Sequence, residues 1–259
     1  MYTFGIDIGS TTSKCVVLKD GSEIISSSLF VGGIGTKSPS LAREEALKKA
    51  GITDKDISAT AATGYGRNRT EDADFNVSEL SCHALGAHFI FPEVRTIIDI
   101  GGQDAKVISL SEDGKMRDFL MNDKCAAGTG RFLDVMAAIL QVPVNEMEEM
   151  ARQAQKISQI SSTCTVFAES EVISQLANGV EMPDLIAGIC DSVAGRVASL
   201  AKRIPIVPEV CMSGGVARNG GVRHAMERYL GTEIKFSEQA QLFGAIGAAR
   251  YAFQKMKQN

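Results

Sequence analysis

The stretch GIDIGSTTSKCVVL, residues 5–18, returns 92 positions later as IIDIGGQDAKVISL, residues 97–110. Each copy reads as a strand ending in aspartate, aliphatic and glycine, then a polar turn, then a second strand that becomes apolar. A spacing of this length is too long for a solenoid period and suits a duplicated domain. Each copy sets an aspartate, Asp7 or Asp99, at a strand end beside a turn rich in backbone N–H groups.

Outward from these two hairpins the pattern alternates between strands and helices. YTFGIDIG, SKCVVLKD and GSEIISSSLFVG read as three strands, and SLAREEALKKAG as a helix stopped by Gly51. ISATAATG is a further strand and SELSCHALGAHFIF a helix ending at Pro92. After the second copy, helices are predicted over 130–141, 145–155, 166–178 and 183–203. A late strand in PEVCMSGGVA, a helix in GGVRHAMERYLG and a small-residue helix in LFGAIGAARYAFQKM complete the series. The alternation points to an α/β fold.

Composition narrows the function classes. The 259 residues are 44% hydrophobic and 22% charged, as in ordinary water-soluble domains. A net charge of −4 argues against a general nucleic-acid binder, because no basic excess exists to neutralise phosphates. The N-terminal MYTFGIDIGSTTSK has no basic leader or signal-like apolar run, and no stretch reaches the roughly 18 apolar residues of a membrane helix. The expected location is cytoplasmic, with neither nucleic acid nor membrane as partner.

Turns of glycine, serine and threonine expose N–H groups and hydroxyls without obstruction, and such concavities bind phosphate oxygens. Gly9, Ser10, Thr11 and Thr12 offer this in the first copy, and Gly101, Gly102 and Gln103 in the second. Asp7 and Asp99, facing one another across a cleft, could hold a hydrated Mg²⁺. A third element, MSGGVARNGGVRHAM, sets Gly214 and Gly215 after a strand, where a flat adenosine could lie against bare backbone. Neither GK[ST] nor GxGxxG occurs, which removes the P-loop and Rossmann readings.

Taken in this order, with GTGRF between and FGAIGAA at the end, these elements resemble the actin, sugar-kinase and heat-shock-chaperone ATPase superfamily. The resemblance covers the whole chain and implies two duplicated ribonuclease-H-like (actin-like ATPase) domains with an interdomain nucleotide cleft. The first domain would comprise residues 1–94 plus 241–259, and the second residues 95–240. By resemblance, Asp7 and Asp99 are the magnesium-side acids, Ser10 to Thr12 and Gly101 to Gln103 grip phosphates, and Gly214, Gly215 and Asn219 border the nucleoside. Lys14 and Arg67 could approach phosphate or a partner, or stand as solvated surface charges. Gln103 and Asp104, in the second phosphate turn, are the candidates for hydrolysis, with Gln103 orienting the water.

Six cysteines occur, at 15, 82, 125, 164, 190 and 211, and none forms a CxxC pair. Cys15, Cys190 and Cys211 lie among aliphatic neighbours, and Cys82 beside His83 is not a ligand set; all four are expected in the core. Cys125 and Cys164 stand apart. The run after Cys125 carries Phe132, Val135, Met136, Ile139 and Leu140 at helical spacing. Before Val172, Ile173 and Leu176, the residues Ser161, Ser162 and Thr163 are of capping type. Cys125 is therefore expected just before a helix N-terminus and Cys164 at a helix start, and helix N-termini stabilise negative charge. Two thiolates do not complete an iron–sulfur cluster, but a twofold dimer supplies four.

NDKCAAGTGRFLDVMA and ISSTCTVFAESEVISQL, with ATGYGR and SELSCHALGA, resemble the ATP-dependent activators of (R)-2-hydroxyacyl-CoA dehydratases, a family that includes the ATPase subunits of benzoyl-CoA reductase. That resemblance implies a homodimer with one bridging [4Fe–4S] cluster on Cys125 and Cys164 of each chain. It also implies ATP, ADP and Mg²⁺ as ligands, ferredoxin or flavodoxin as electron donor, and a dehydratase component as acceptor. Rival readings are a small-molecule kinase of the same superfamily and an ATP-switched scaffold. The kinase reading leaves the two cysteines without a role.

Overall fold

The computed structural model describes residues 1–70, 72–122, 124–161 and 164–258. Its elements run β1 (Tyr2–Ile8), β2 (Thr12–Lys19), β3 (Glu23–Val31), α1 (Ser38–Ala50), β4 (Ile57–Thr63), β5 (Phe75–Asn76) and α2 (Glu79–Ile90). They continue with β6 (Thr96–Ile100), β7 (Ala105–Leu110), β8 (Met116–Asn122), α3 (Gly130–Leu140), α4 (Met147–Arg152), α5 (Thr165–Ala177) and α6 (Met182–Ala201). The last four are β9 (Val210–Ser213), α7 (Gly220–Leu230), β10 (Ile234–Lys235) and α8 (Phe243–Gln258).

The strands form two five-stranded sheets, ordered β3-β2-β1-β4-β5 and β8-β7-β6-β9-β10. The two orders are the same. In each, the first two strands pair antiparallel, the third extends that hairpin, and the fourth pairs parallel to the first. The chain is thus a duplicated ribonuclease-H-like, actin-like ATPase fold. Its compact units are Met1–Arg95 with Leu110–Arg117 and the segment from Ser237 onward, and Thr96–Ser109 with Asp118–Phe236. The 110–117 turn, which a simple cut at 95 would assign to the second unit, groups with the first: Gly114 lies against the His88 ring of α2.

Strand alternation explains the first unit's core. Phe4, Ile6 and Ile8 face Ala42, Ala46 and Leu47 of α1, while Ala59 and Ala61 pack with Cys82, Ala248 and Ala252. The small residues of α8 allow close approach: a Cβ at Gly247 would overlap the Cys82 carbonyl. Gly51 ends α1 in the left-handed region at φ 67°, as its position after the helix predicts.

Two helices depart from expectation. The run predicted as a helix over 145–155 is a short 3₁₀ turn (Val144–Glu146) followed by one α-turn ending at Arg152. On α5, Val172 is buried but Ile173 is 50% exposed, as are Val166 and Phe167 to a greater degree. No described helix is long and apolar enough to cross a membrane.

Candidate functional site

Each duplicated hairpin is closed by one backbone bond, Gly9 N–H to the Thr12 carbonyl at 3.0 Å and Gly101 N–H to the Asp104 carbonyl at 2.9 Å. Residues directly opposite in an antiparallel pair share a face. The register sets Asp7 opposite Lys14 and Asp99 opposite Lys106, so each aspartate meets a lysine. Lys14 Nζ donates to Asp7 Oδ2 at 3.0 Å, and Lys106 Nζ to Asp99 Oδ2 at 3.2 Å. The lysines stand the same distance apart in sequence as the aspartates. Lys106 escaped the sequence reading because a charged residue inside a strand suggests a solvent face; it is only 2% exposed.

Lys106 also holds Asp104 Oδ2 at 2.9 Å. Asp104 is buried and folded back over Gly101, which leaves Gln103 as the side chain of this turn in solvent. Ser10 and Thr12 are half-buried and Thr11 is exposed in the first turn, with Gly9 and Gly102 partly open.

The parallel neighbours add a second duplication. Thr63 of β4 lies beside Asp7 and Ser213 of β9 beside Asp99, where Ser213 Oγ donates to Asp99 Oδ1 at 2.7 Å. Each is followed by a glycine in the left-handed region, Gly64 at φ 82° and Gly214 at φ 83°. A Cβ at Gly64 would come within 2.5 Å of Asp7 Oδ1, and one at Gly214 within 2.9 Å of Asp99 Oδ1. Only glycine gives both the backbone angle and this clearance. The Gly214–Gly215 loop therefore has a partner in Gly64–Gly66. A fixed offset does not find it, because α3 to α6 are inserted between β8 and β9.

Asn219 caps α7 through its Oδ1, which accepts from Val222 N–H at 3.1 Å. Its buried Nδ2 has no hydrogen-bond partner among the described residues. A buried amide donor is costly to leave unmade, so this atom fits a ligand acceptor. Arg67 reaches the Gly64 carbonyl at 3.2 Å.

The second turn is tied to the cysteine segment. The first N–H groups of α3 are spent on it: Gly130 donates to the Gly101 carbonyl and Arg131 to the Gly102 carbonyl, both at 2.9 Å. Cys125 lies just before this helix, as expected, but the helix's first N–H groups are not turned to the thiol. The thiol is in the loop before Thr129, the N-cap, and the helix N-terminus serves the turn instead. Asn122 Nδ2 donates to the Cys125 carbonyl at 3.4 Å, and Thr129 Oγ1 to the Ala126 carbonyl at 2.6 Å. Cys164 is itself the N-cap of α5, with its carbonyl accepting from Ala168 N–H at 2.9 Å. Ser161 does not cap; its N–H and Oγ both bind Glu171 Oε1 at 2.9 Å. Ser162 and Thr163 lie outside the described residues.

The six thiols divide sharply. Cys15, Cys82, Cys190 and Cys211 are buried, while Cys125 and Cys164 are exposed. Burial pushes Cys82 and Cys190 up to about 12, and it pushes Cys15 and Cys211 higher still. Those four remain protonated and sheltered near neutral pH. Iodoacetamide applied to the iron-free native protein at pH 8 is expected to modify Cys125 and Cys164 alone. Mass spectrometry of tryptic peptides checks this, and rapid labelling of Cys82 or Cys190 without denaturant contradicts it. Among the described residues no group of three or more His, Cys, Asp and Glu side chains is arranged to hold a metal. The two exposed thiols, Cys125 and Cys164, lie in the segment before α3 and at the start of α5.

Residues 4–252 match the BadF/BadG/BcrA/BcrD ATPase family. Over 256 residues the chain is 59% identical to the (R)-2-hydroxyglutaryl-CoA dehydratase activating ATPase of Acidaminococcus fermentans, covering 98% of each sequence. The crystal structure of that organism's (R)-2-hydroxyglutaryl-CoA dehydratase component A matches with a TM-score of 0.97 over 99% of both chains, at 58% identity. The activator of the 2-hydroxyisocaproyl-CoA dehydratase from Clostridium difficile, solved with bound ADPNP, gives 0.97 at 55% identity and covers 100% of this chain and 96% of its own. A ROK hexokinase from Thermus thermophilus, at 16% identity and a TM-score of 0.53 over both full chains, shares the fold alone.

Proposed function

The chain belongs to the BadF/BadG/BcrA/BcrD ATPase family, and from that premise we propose that it is an ATP-hydrolysing activator of a (R)-2-hydroxyacyl-CoA dehydratase. One electron leaves reduced ferredoxin or flavodoxin, passes to this protein and then to the dehydratase. ATP is meanwhile hydrolysed by water to ADP and phosphate. The observation that supports this most is the direct backbone connection from the Gly101–Gly102 turn to the segment carrying Cys125.

ATP phosphates would be gripped by the N–H groups and hydroxyls of Gly9, Ser10, Thr11 and Thr12, and by Gly101, Gly102 and Gln103. Gly214 and Gly215 give a bare backbone for the nucleoside, with the unspent Nδ2 of Asn219 as its donor. Asp7 and Asp99 each already face a lysine, so they suit a phosphate-bound Mg²⁺ through water rather than directly. Gln103 orients the attacking water, and Asp104, bound to Lys106, sets the shape of the turn beneath it. Cys125 and Cys164 of two chains would hold a [4Fe–4S] cluster, which supplies a one-electron store of low potential.

Release of phosphate loosens the Gly101–Gln103 turn, and the two bonds to Gly130 and Arg131 carry that change into α3 and the Cys125 loop. The protein is read as a cytoplasmic homodimer. Anoxically purified protein, mixed with ferredoxin or flavodoxin, ATP and a dehydratase, is expected to switch on dehydration of a 2-hydroxyacyl-CoA. A non-hydrolysable ATP analogue is expected not to. Activation without ATP, or transfer of phosphate to a small hydroxylated substrate, would overturn the reading.

A further inference from the structure

Three elements of the first unit meet at Gly244, in the first turn of α8. A Cβ there would stand 2.8 Å from Asp7 Oδ2 of β1 and 3.2 Å from His83 Nε2 of α2. The carboxylate and the ring nitrogen therefore border one small space, which a side chain at 244 would fill. His83 is 8% exposed, and the other buried residues of its helix are Cys82, Ala84, Gly86 and Ala87. A large polar ring among such small neighbours is costly to bury unless its nitrogens are used.

The meeting is held by main chain rather than by long side chains. A Cβ at Gly86 would overlap the Phe243 carbonyl, one at Gly247 the Cys82 carbonyl, and one at Gly5 the Ala245 carbonyl. α2, α8 and β1 thus touch backbone to backbone around Gly244, and such close packing fixes His83 against Asp7. Asp7 is 5% exposed, and Lys14 Nζ takes one position on its Oδ2 at 3.0 Å. A carboxylate accepts about four hydrogen bonds, and an imidazole Nε2 can donate one. Asp7 Oδ2 and His83 Nε2 each lie a hydrogen-bond length from the same point, a spacing that one shared water bridges.

We propose that His83 is a positioning residue for the divalent cation of the nucleotide: through a shared water it holds the Asp7 carboxylate, and with it the hydration shell of Mg²⁺, in place. The proposal rests on the reading of Asp7 as a magnesium-side acid. It gives the small-residue run FGAIGAA a purpose beyond packing, since a side chain at Gly244 would displace the water that joins the two groups.

The test uses the anoxic full chain with Mn²⁺ as the probe, its free ion counted by electron paramagnetic resonance in saturating ADP. Wild type, His83→Ala, His83→Gln, Gly244→Ala and Asp7→Asn are compared for Mn²⁺ Kd, ADP Kd in EDTA, ATP turnover and melting temperature. His83→Ala and Gly244→Ala are each expected to weaken Mn²⁺ binding about tenfold, with ADP Kd in EDTA within about twofold of wild type. ATP turnover should lose kcat by a similar factor with KM little changed. His83→Gln keeps an N–H near the Nε2 position and should recover Mn²⁺ affinity to within about threefold of wild type. Should His83→Ala fail to fold, His83→Gln and Gly244→Ala decide the matter. Wild-type Mn²⁺ affinity in the His83 and Gly244 variants, with Asp7→Asn weakened, would overturn the role of His83 and leave that of Asp7 standing. Wild-type affinity in all four variants would overturn both. A His83→Gln variant as weak as His83→Ala, or a fall in melting temperature with no change in Mn²⁺ affinity, would make His83 a packing residue and end the proposal.

Discussion

Cys125→Ser and Cys164→Ser are each expected to abolish iron retention and dehydratase activation while ATP turnover persists. In a twofold dimer either change removes two of the four ligands at once. A serine hydroxyl stays protonated near neutral pH and is a hard oxygen donor where iron–sulfur chemistry requires soft thiolate. Both cysteines are exposed, so the replacements leave no cavity and should alter stability by less than about 0.5 kcal/mol. Activation should fall to background, a loss of at least about a thousandfold, with iron below the detection limit of a colorimetric assay. Cys82→Ser and Cys190→Ser are the controls: both sites are buried, so these variants should be less stable yet keep their iron. Iron surviving in either exposed-site variant would remove Cys125 or Cys164 from the ligand set.

The second large effect is expected at Lys106. Its ammonium binds both Asp99 and Asp104, at 3.2 and 2.9 Å, and all three groups are buried. Lys106→Met keeps the bulk of the side chain and removes the charge, stranding two carboxylates in the interior. Breaking a buried pair in this way costs about 3–5 kcal/mol, which for domains of this size lowers the melting temperature by roughly 10 °C. ATP turnover should be lost as well, because Asp104 forms the far side of the Gly101–Gln103 turn. Lys14→Met should cost less, since Lys14 neutralises a single aspartate and its side chain is 11% exposed against 3% for Lys106. Combining Lys106→Met with Asp104→Asn should recover part of the lost stability, a coupling that independent sites would not give. Equal melting temperatures for wild type and Lys106→Met would mean that the triad does not support the turn.

The hairpin repeat carried most of the fold, because an aspartate, a glycine turn and an alternating second strand leave few other structures open to it. What escaped was set by length or by distance. β5 and β10 are two residues each, too short to show a period. The burial of Cys15, Cys190 and Cys211 followed from their aliphatic neighbours, and that of Cys82 from the lack of a ligand set around it. The place of Cys125 before α3 was legible too, but nothing near it in the chain signals that the turn at Gly101–Gly102 claims the N–H groups of that helix. Lys106 was visible in principle as the counterpart of Lys14, but only the register showed that both meet an aspartate.

Iron and acid-labile sulfide analysis, performed with sedimentation equilibrium on the same anoxic preparation, tests the shared centre most directly. A dimer with about four irons and about four sulfides per two chains is the expected result. An iron-free dimer, or a monomer that carries a full set of iron by itself, would contradict it.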